Sequence, residues 1–265
     1  PFIDSAIQSL ARTGVLEVTA TDTAALTGSS LSSQKRRYGA QGIVDDYAHD
    51  DAVRVLLGMI AKTAAMHDRI IKPILSLFDG HHVRVSVLIK TSKEAASNFQ
   101  EQLGYRLRTK DVPYKFIKYP SANQIKSASG PLWIGPLMDK EIAGRLTEEC
   151  AIQTCLPTSD ELEELIAKGL AWSDKDVEYA TREMIRSVKH ISSAADLLSR
   201  QHMLLSLNSM PRLAGTKGAP KMDDVISDLI ELGYSAARYP DMEPMFVTDA
   251  SFDDVISIFR KYHYD

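Results

Sequence analysis

Cysteine is nearly absent from the 265 residues, which contain only Cys150 and Cys155. Two thiols cannot supply the four ligands of a structural zinc site, and their spacing along a helix suits a bridge poorly. Two reduced thiols in a cytoplasmic protein are the expectation. Long apolar runs are missing as well. None approaches the roughly 20 residues that a membrane span needs, so no membrane partner is expected. Positive charge is not in excess, because the formal net charge is −4. That balance excludes a uniformly cationic surface but leaves room for local basic patches. Also absent are a G-x-G-x-x-G nucleotide loop, a G-x-S-x-G nucleophile elbow and a His-x-x-x-His pair on one helix. A serine hydrolase and a helical metal site therefore find no support. What remains is an ordinary soluble composition, 44% hydrophobic and 25% charged, long enough for a sizeable core and two domains.

Apolar spacing organises the chain. Ile3, Ala6, Ile7 and Leu10 share one face of a helix predicted over Phe2 to Arg12 and stopped by Gly14. The chain opens with Pro1 in mid-element, so a truncated chain is expected. Val15 to Ala20 predicts a strand, ending in Thr21-Asp22-Thr23 and followed by a Gly/Ser-rich loop from Thr27 to Ser33. Val53, Leu56, Leu57, Ile60, Ala61 and Ala64 mark a long helix from about Tyr47 to His67. Ile74 to Phe78 and Val83 to Ile89 form a hairpin across Asp79-Gly80. Helix, strand, long helix and hairpin is the order of the closing third of a doubly wound sheet.

Further on, the pattern predicts a helix from Thr91 to Tyr105 and a polar junction from Thr109 to Ser129. Helices over Asp139 to Cys150, Ser159 to Ala167 and Ser173 to Ser199 follow. A helix through Leu197 to Leu207, a second from about Lys221 to Leu232, and short strands at Ser235 to Arg238 and Met245 to Thr248 give winged-helix order. Asp223, Asp224, Asp228 and Glu231 on that second helix would repel phosphate, so a purely structural end domain is equally compatible with the pattern.

Few residues stand out chemically. Asp22 falls at the carboxyl end of a core strand, where open α/β sheets hold ligands, although a local loop cap explains it equally well. Lys35-Arg36-Arg37-Tyr38, on the loop after the same strand, is the densest basic cluster and suits phosphate contact and stacking on RNA. His49, beside Asp50 and Asp51, and the pair His81 and His82 at the hairpin turn read as surface or capping histidines. Trp133 sits in a rigid frame from Gly130 to Leu137 that suits domain docking.

Phe2-Ile3-Asp4-Ser5-Ala6, the run Val18 to Ala24, Arg37-Tyr38-Gly39-Ala40 and Gly130 to Leu137 carry a likeness in their order and intervals. Together they resemble the tRNA guanine-26 N2-dimethyltransferase family of archaeal type, from Phe2 nearly to the C-terminus. His49, Arg54, His81, Arg84 and Arg238 fall at that family's His and Arg positions. The resemblance implies the C-terminal part of a class I, Rossmann-like α/β methyltransferase over residues 1–122. In that fold's strand order Val15 to Ala20 should pair with Val83 to Ile89 on one side and, with the preceding strand missing, with no strand on the other, leaving the helices over Phe2 to Arg12 and Tyr47 to His67 partly uncovered. The resemblance also implies a mainly helical α+β family-specific domain with a winged-helix-like end over 123–265. It further implies S-adenosyl-L-methionine as cofactor, tRNA as partner, no protein partner, and methylation of a guanine exocyclic amine.

The family's catalytic carboxylate, in an Asp-Pro-Phe-Gly-Ser/Thr-Pro motif, and its donor-binding residues are expected upstream of Pro1. Asp22 is then only a weak catalytic candidate, and the chain alone is expected to be inactive. Lys35, Arg36, Arg37, Arg84 and Arg238 are the expected RNA contacts. Two departures stand out. Thr109 to Ser129 lacks the paired cysteines of many relatives, so no zinc is expected, and Val247 replaces a phosphate-contacting lysine. A non-catalytic winged-helix-like nucleic-acid-binding protein and another class I methyltransferase remain as alternatives.

Overall fold

The structure is a computed structural model that describes residues 2–109, 113–169, 173–200, 202–240 and 244–262. Its first part comprises α1 (Ile3–Ser9), β1 (Thr13–Ala20), α2 (Thr23–Leu26), α3 (Leu31–Tyr38), α4 (Ala48–Met66), β2 (Arg69–Phe78) and β3 (Val83–Thr91). Strand β3 lies between the other two and runs antiparallel to both. Alternation fixes its faces: Val83, Val85, Val87 and Ile89 are at most 1% exposed and belong to the core that includes α4. Each such side chain contributes about 1.5–3 kcal/mol on burial. On the other face Thr19 pairs with Arg84 and Glu17 with Ser86. Among the described residues β1 pairs with β3 alone, as the strand order implied by the family resemblance predicts, so its other flank is open.

Beyond β3 the expected helix from Thr91 to Tyr105 is replaced by three short elements. They are α5 (Lys93–Ser97), a 3-10 turn (Phe99–Gln102) and strand β4 (Leu103–Leu107). Gly104 shows why: a Cβ there would lie 2.8 Å from the Ile117 carbonyl oxygen, so the position needs close strand-to-strand approach. The polar stretch expected as a junction contains β5 (Lys115–Ile117), α6 (Ala122–Ile125) and the start of β6 (Ala128–Trp133); its residues 110–112 lie outside the described ones. The second sheet has the order β5-β4-β6. Strand β6 also packs on α4 at Gly58, so α4 is buried nearly all round rather than partly uncovered.

Gly130, in β6, has φ +145° and faces the Gly104 carbonyl oxygen and the Tyr105 ring, which an added Cβ would approach to 2.7 and 2.8 Å. Gly130→Ala is expected to destabilise the protein by roughly 1–3 kcal/mol. A lowered urea midpoint is the readout, and an unchanged midpoint contradicts this account of the strand.

The remaining elements are α7 (Lys140–Ala143), α8 (Glu148–Cys155), α9 (Ser159–Ala167), α10 (Asp174–Leu198), β7 (Met203–Ser206), α11 (Met210–Ala214), α12 (Met222–Glu231), β8 (Ala236–Arg238), β9 (Met245–Thr248) and α13 (Phe252–Lys261). The single helix expected over Asp139 to Cys150 is split. Gly144 ends the first turn, and Thr147 starts α8 by accepting from the Cys150 backbone N–H. Nor is Leu197 to Leu207 a helix, although residue 201 lies outside the described ones. Leu204 packs into the main core and Leu205 into a second cluster with Val225, Leu229, Phe246 and Phe259, which is the two-sided alternation of a strand.

Strand order β7-β9-β8, with α10 before it and α11 and α12 inserted, keeps the winged-helix arrangement. The turn expected over Pro240 to Pro244 includes residues 241–243, outside the described ones. Val247 is fully buried, so a lysine could not occupy its position as it stands. The expected boundary between 122 and 123 runs through the second sheet, with β4 and β5 before it and β6 after it. No helix among the described residues is long and apolar enough to cross a membrane.

Candidate functional site

The open flank of β1 forms one wall of a cleft of about 790 Å³. Ile3, Leu16, Val18, Leu56 and Met59 supply its apolar lining, and Asp22, Arg37 and Tyr38 its polar end. Asp22 stands where β1 runs out, at the N-cap position of α2, but its side chain caps nothing. Its carboxylate instead pairs with Arg37 Nη1, a contact made across fifteen residues of chain. Burial first, and the neighbouring Asp22 charge second, push the Tyr38 hydroxyl above its ordinary pKa.

The basic cluster corrects one expectation: it lies on a helix, not on a loop. α3 starts at Leu31 within the Gly/Ser-rich stretch and ends at Gly39, which takes the left-handed conformation with φ +66°. Lys35, Arg36 and Arg37 thus fall in its last turn, where the helix dipole favours cations. All three are exposed; Arg37 holds Asp22, while Lys35 and Arg36 form no ion pair among the described residues. Arg84 stands on the far face of the same sheet, its Nε 2.8 Å from Asp79 and its Nη1 3.3 Å from Thr19 Oγ1. Burial raises the Asp79 carboxyl, but bonds from Arg84 and from the His81 and His82 backbone outweigh it and hold it down at about 2. Arg238 lies on β8, with Nε 3.1 Å and Nη2 2.8 Å from Asp223 of α12.

The structure therefore brings Asp22, Lys35, Arg36 and Arg37 together and leaves Arg84 and Arg238 elsewhere. His49 stacks on Phe78 with ring centroids 4.0 Å apart, and no group of three His, Cys, Asp or Glu among the described residues could hold a metal ion.

A second polar constellation was not legible in the sequence. Asp50, fully buried on α4, accepts from Arg54 Nε at 2.7 Å, Tyr114 Oη at 2.7 Å and Tyr239 Oη at 2.9 Å. Burial alone would raise its pKa, but Arg54 and the Tyr114 hydroxyl outweigh that and keep the carboxyl below its ordinary range. The adjacent Asp51 receives Arg106 Nε and Nη2, both at 2.7 Å, and Arg106 also reaches Asp45 at 2.9 Å. The sequence signals were a pair of acids at the start of a mainly apolar helix and Arg54, which falls at one of the family's Arg positions. Their partners come from β4, from the segment before β5 and from the residue after β8, far away in sequence. The Arg106 ion pair ties α4 to β4, and the Tyr239 hydrogen bond ties it to the segment after β8; none of these groups lines the cleft on β1.

With the fold and cleft in view, the likenesses to known proteins become specific. The model of the N2,N2-dimethylguanosine tRNA methyltransferase family matches residues 1–202. The chain belongs to this family. A tRNA (guanine(26)-N(2))-dimethyltransferase of Metallosphaera sedula is 36% identical over 176 residues, 62% of this chain and 46% of that protein. Its namesake in Thermococcus kodakarensis is 28% identical over 261 residues, 98% of this chain and 61% of that protein. The solved structure of Trm1 from Pyrococcus horikoshii with S-adenosyl-L-methionine matches with a TM-score of 0.73 at 27% identity, covering 97% of this chain and 62% of that one. The chain thus spans 46–61% of the length of these two curated relatives. The sheet β1-β3-β2 is the closing part of a class I methyltransferase sheet, as its element order predicts.

Proposed function

We propose that this chain forms part of an S-adenosyl-L-methionine-dependent tRNA (guanine(26)-N(2))-dimethyltransferase. The reading is carried by the family match over residues 1–202, with Asp22 at the carboxyl end of β1, where doubly wound sheets hold their ligands. The fold likeness to a Trm1 structure in complex with S-adenosyl-L-methionine supports the same choice of cofactor. On this reading residues 1–122 close the methyltransferase sheet and 123–265 form the family-specific part, with β6 reaching back to complete the sheet of β4 and β5.

The exocyclic amine of guanine is a weak nucleophile because its lone pair is delocalised into the ring. Transfer therefore needs the amine held in line with the methyl group and a carboxylate to take its proton. Asp22 is poorly suited to that task, since Arg37 already occupies its carboxylate. Its role here is to fix Arg37 and the polar rim of the cleft. The Gly/Ser-rich stretch builds the connection from α2 to α3 rather than a nucleotide-binding turn, so no donor contact is assigned to these residues. Full-length protein incubated with labelled donor and tRNA should yield label in dimethylguanosine. No label in any guanosine sinks the proposal.

Lys35 and Arg36 are the cations free to meet tRNA phosphates, and Arg37 sits beside them. Arg84 and Arg238 would have to exchange Asp79 and Asp223 for phosphate. Replacing Lys35, Arg36 and Arg37 together by Ala should weaken tRNA binding on the order of tenfold at moderate salt. Because only two of the three are unpaired, the slope of log K against log salt should flatten by about 2 rather than 3. A slope equal to that of the parent protein makes this turn of α3 mere solvated surface.

A further inference from the structure

The winged-helix-like end sorts its charges into two groups. α12 carries Asp223, Asp224, Asp228 and Glu231 and no cation, so the helix that reads nucleic acid in such an arrangement would here repel phosphate. The strands β8 and β9 offer little more: Val247 is buried, and Arg238 is held by Asp223 at 2.8 Å. Arg200 pairs with Asp196 and Asp249, and Lys261 with Asp228. The remaining described Arg and Lys side chains of this region are Arg212, Lys217, Lys221 and Arg260. All are exposed, and none forms an ion pair among the described residues.

These unpaired cations converge on the connection from α11 to α12. α11 and α13 share the second apolar cluster through Met210, Ala214, Ile256 and Phe259. Arg212 stands in the last turn of α11, and Arg260, in the last turn of α13, donates Nε to the Ala214 carbonyl oxygen at 3.2 Å. Gly215 then ends α11 with φ +74°. Thr216 holds the turn that follows: its N–H donates to the Pro211 carbonyl oxygen at 2.8 Å and its hydroxyl to that of Gly218 at 3.2 Å. Lys217 lies in this turn, and Lys221 is the N-cap residue of α12. The helix dipoles account for a cation at the end of α11 and another at the end of α13, but not for Lys217 and Lys221. Ser209, just ahead of α11, donates to Asp46, which anchors the connection near the start of α4.

We propose that Arg212, Lys217, Lys221 and Arg260 form a second surface for the tRNA phosphate backbone, so that this end of the chain meets RNA through the connection between α11 and α12 and not through α12 itself. The choice of tRNA rests on the function proposed above. Regularly spaced phosphates suit exposed cations spread along a connection, whereas one free phosphate needs donors that converge on a point. Of the acids that open α12, Asp223 is taken by Arg238, which leaves Asp224 to oppose these cations. Backbone contacts of this kind position an RNA without reading its sequence.

The test is tRNA binding by the full-length protein over a series of salt concentrations. Replacing Arg212, Lys217 and Lys221 together by Gln keeps most of each stem and leaves the Arg260 bond to α11 in place. Affinity for tRNA should fall by about tenfold at moderate salt, and the slope of log K against log salt should flatten by roughly 2 to 3. Replacing Lys93, Lys168 and Lys175 by Gln makes the same change in net charge and should leave both quantities as they were. Should the triple variant melt below the parent, Lys217→Gln alone, in its exposed turn, should flatten the slope by about 1. In the methylation assay the triple variant should raise the KM for tRNA and keep kcat. A parent protein that binds tRNA but methylates no guanosine sinks the enzyme reading alone, and the salt series still decides on this surface. A variant with the parent's slope, or a control that flattens it equally, overturns the proposal. Polyglutamate that binds the parent more tightly than tRNA does, and loses affinity in the variant, assigns the surface to an acidic polypeptide and overturns it as well.

Discussion

Arg106→Met is expected to lower folding stability by about 3–5 kcal/mol, the usual cost of stripping the partner from a buried charge. Arg106 is fully buried, and it is held by Asp51, itself 1% exposed, and by Asp45. Removing the guanidinium leaves the Asp51 carboxylate in the core without compensation. The Tyr47 ring, stacked 5.1 Å from the guanidinium carbon, does not replace it. At roughly 2–4 °C per kcal/mol for a chain of this size, the melting temperature should drop by roughly 10 °C. The mechanism has its own signature. If the loss comes from an unpaired carboxylate rather than from a packing defect, it should shrink as the pH falls and Asp51 takes up a proton. A deficit below about 1 kcal/mol, or one independent of pH, contradicts the charge account.

Acid should weaken the fold through His202. Its imidazole is pushed down to about 4, by burial first and by the Arg54 charge second, whereas an unfolded histidine titrates near 6.5. Between those two values the unfolded chain binds a proton that the folded chain does not. Stability from this group is therefore complete above about pH 6.5 and is lost progressively as the pH falls toward 4, by up to roughly 3 kcal/mol. His202→Phe keeps a ring against Tyr114 but removes the titration. It also forgoes the bonds to Leu197 and Arg200, so it should be less stable than the parent at neutral pH. The difference between the two proteins should narrow on acidification to pH 4.5. A constant difference over that range means that His202 takes up its proton alike in the folded and unfolded states, which contradicts this account.

How much of this was visible in the sequence depends on the range over which each decision is made. β1, α4 and the β2–β3 hairpin were legible because their apolar periodicity is local and unbroken. The open flank of β1 followed from the strand order of the fold that the family resemblance implies. The failures share a different cause. Thr91 to Tyr105 has helical composition, but Gly104 is needed where two strands approach too closely for a side chain. Met203 to Ser206 looked like the tail of a helix because both of its leucines are apolar. Only tertiary structure reveals that Leu204 and Leu205 serve different cores.

The site divides in the same way. Asp22 and the cluster of Lys35 to Arg37 were singled out as candidates because they flank a recognisable strand, yet their mutual pairing and their helical setting were not legible. Arg106, Tyr114 and Tyr239 carried no signal. Each is an ordinary residue in its own neighbourhood and gains its role from Asp50 or Asp51, more than fifty residues away.

The most direct test of the central claim is the identity of the methylated base. Full-length protein should be given S-adenosyl-L-methionine and two tRNA transcripts that differ only at the nucleotide that the curated relatives' name places at position 26. With guanine there, nucleoside analysis should show N2,N2-dimethylguanosine, and with adenine the product should vanish. Methyl incorporation that is unchanged by the replacement would place the chemistry on another base and contradict the account.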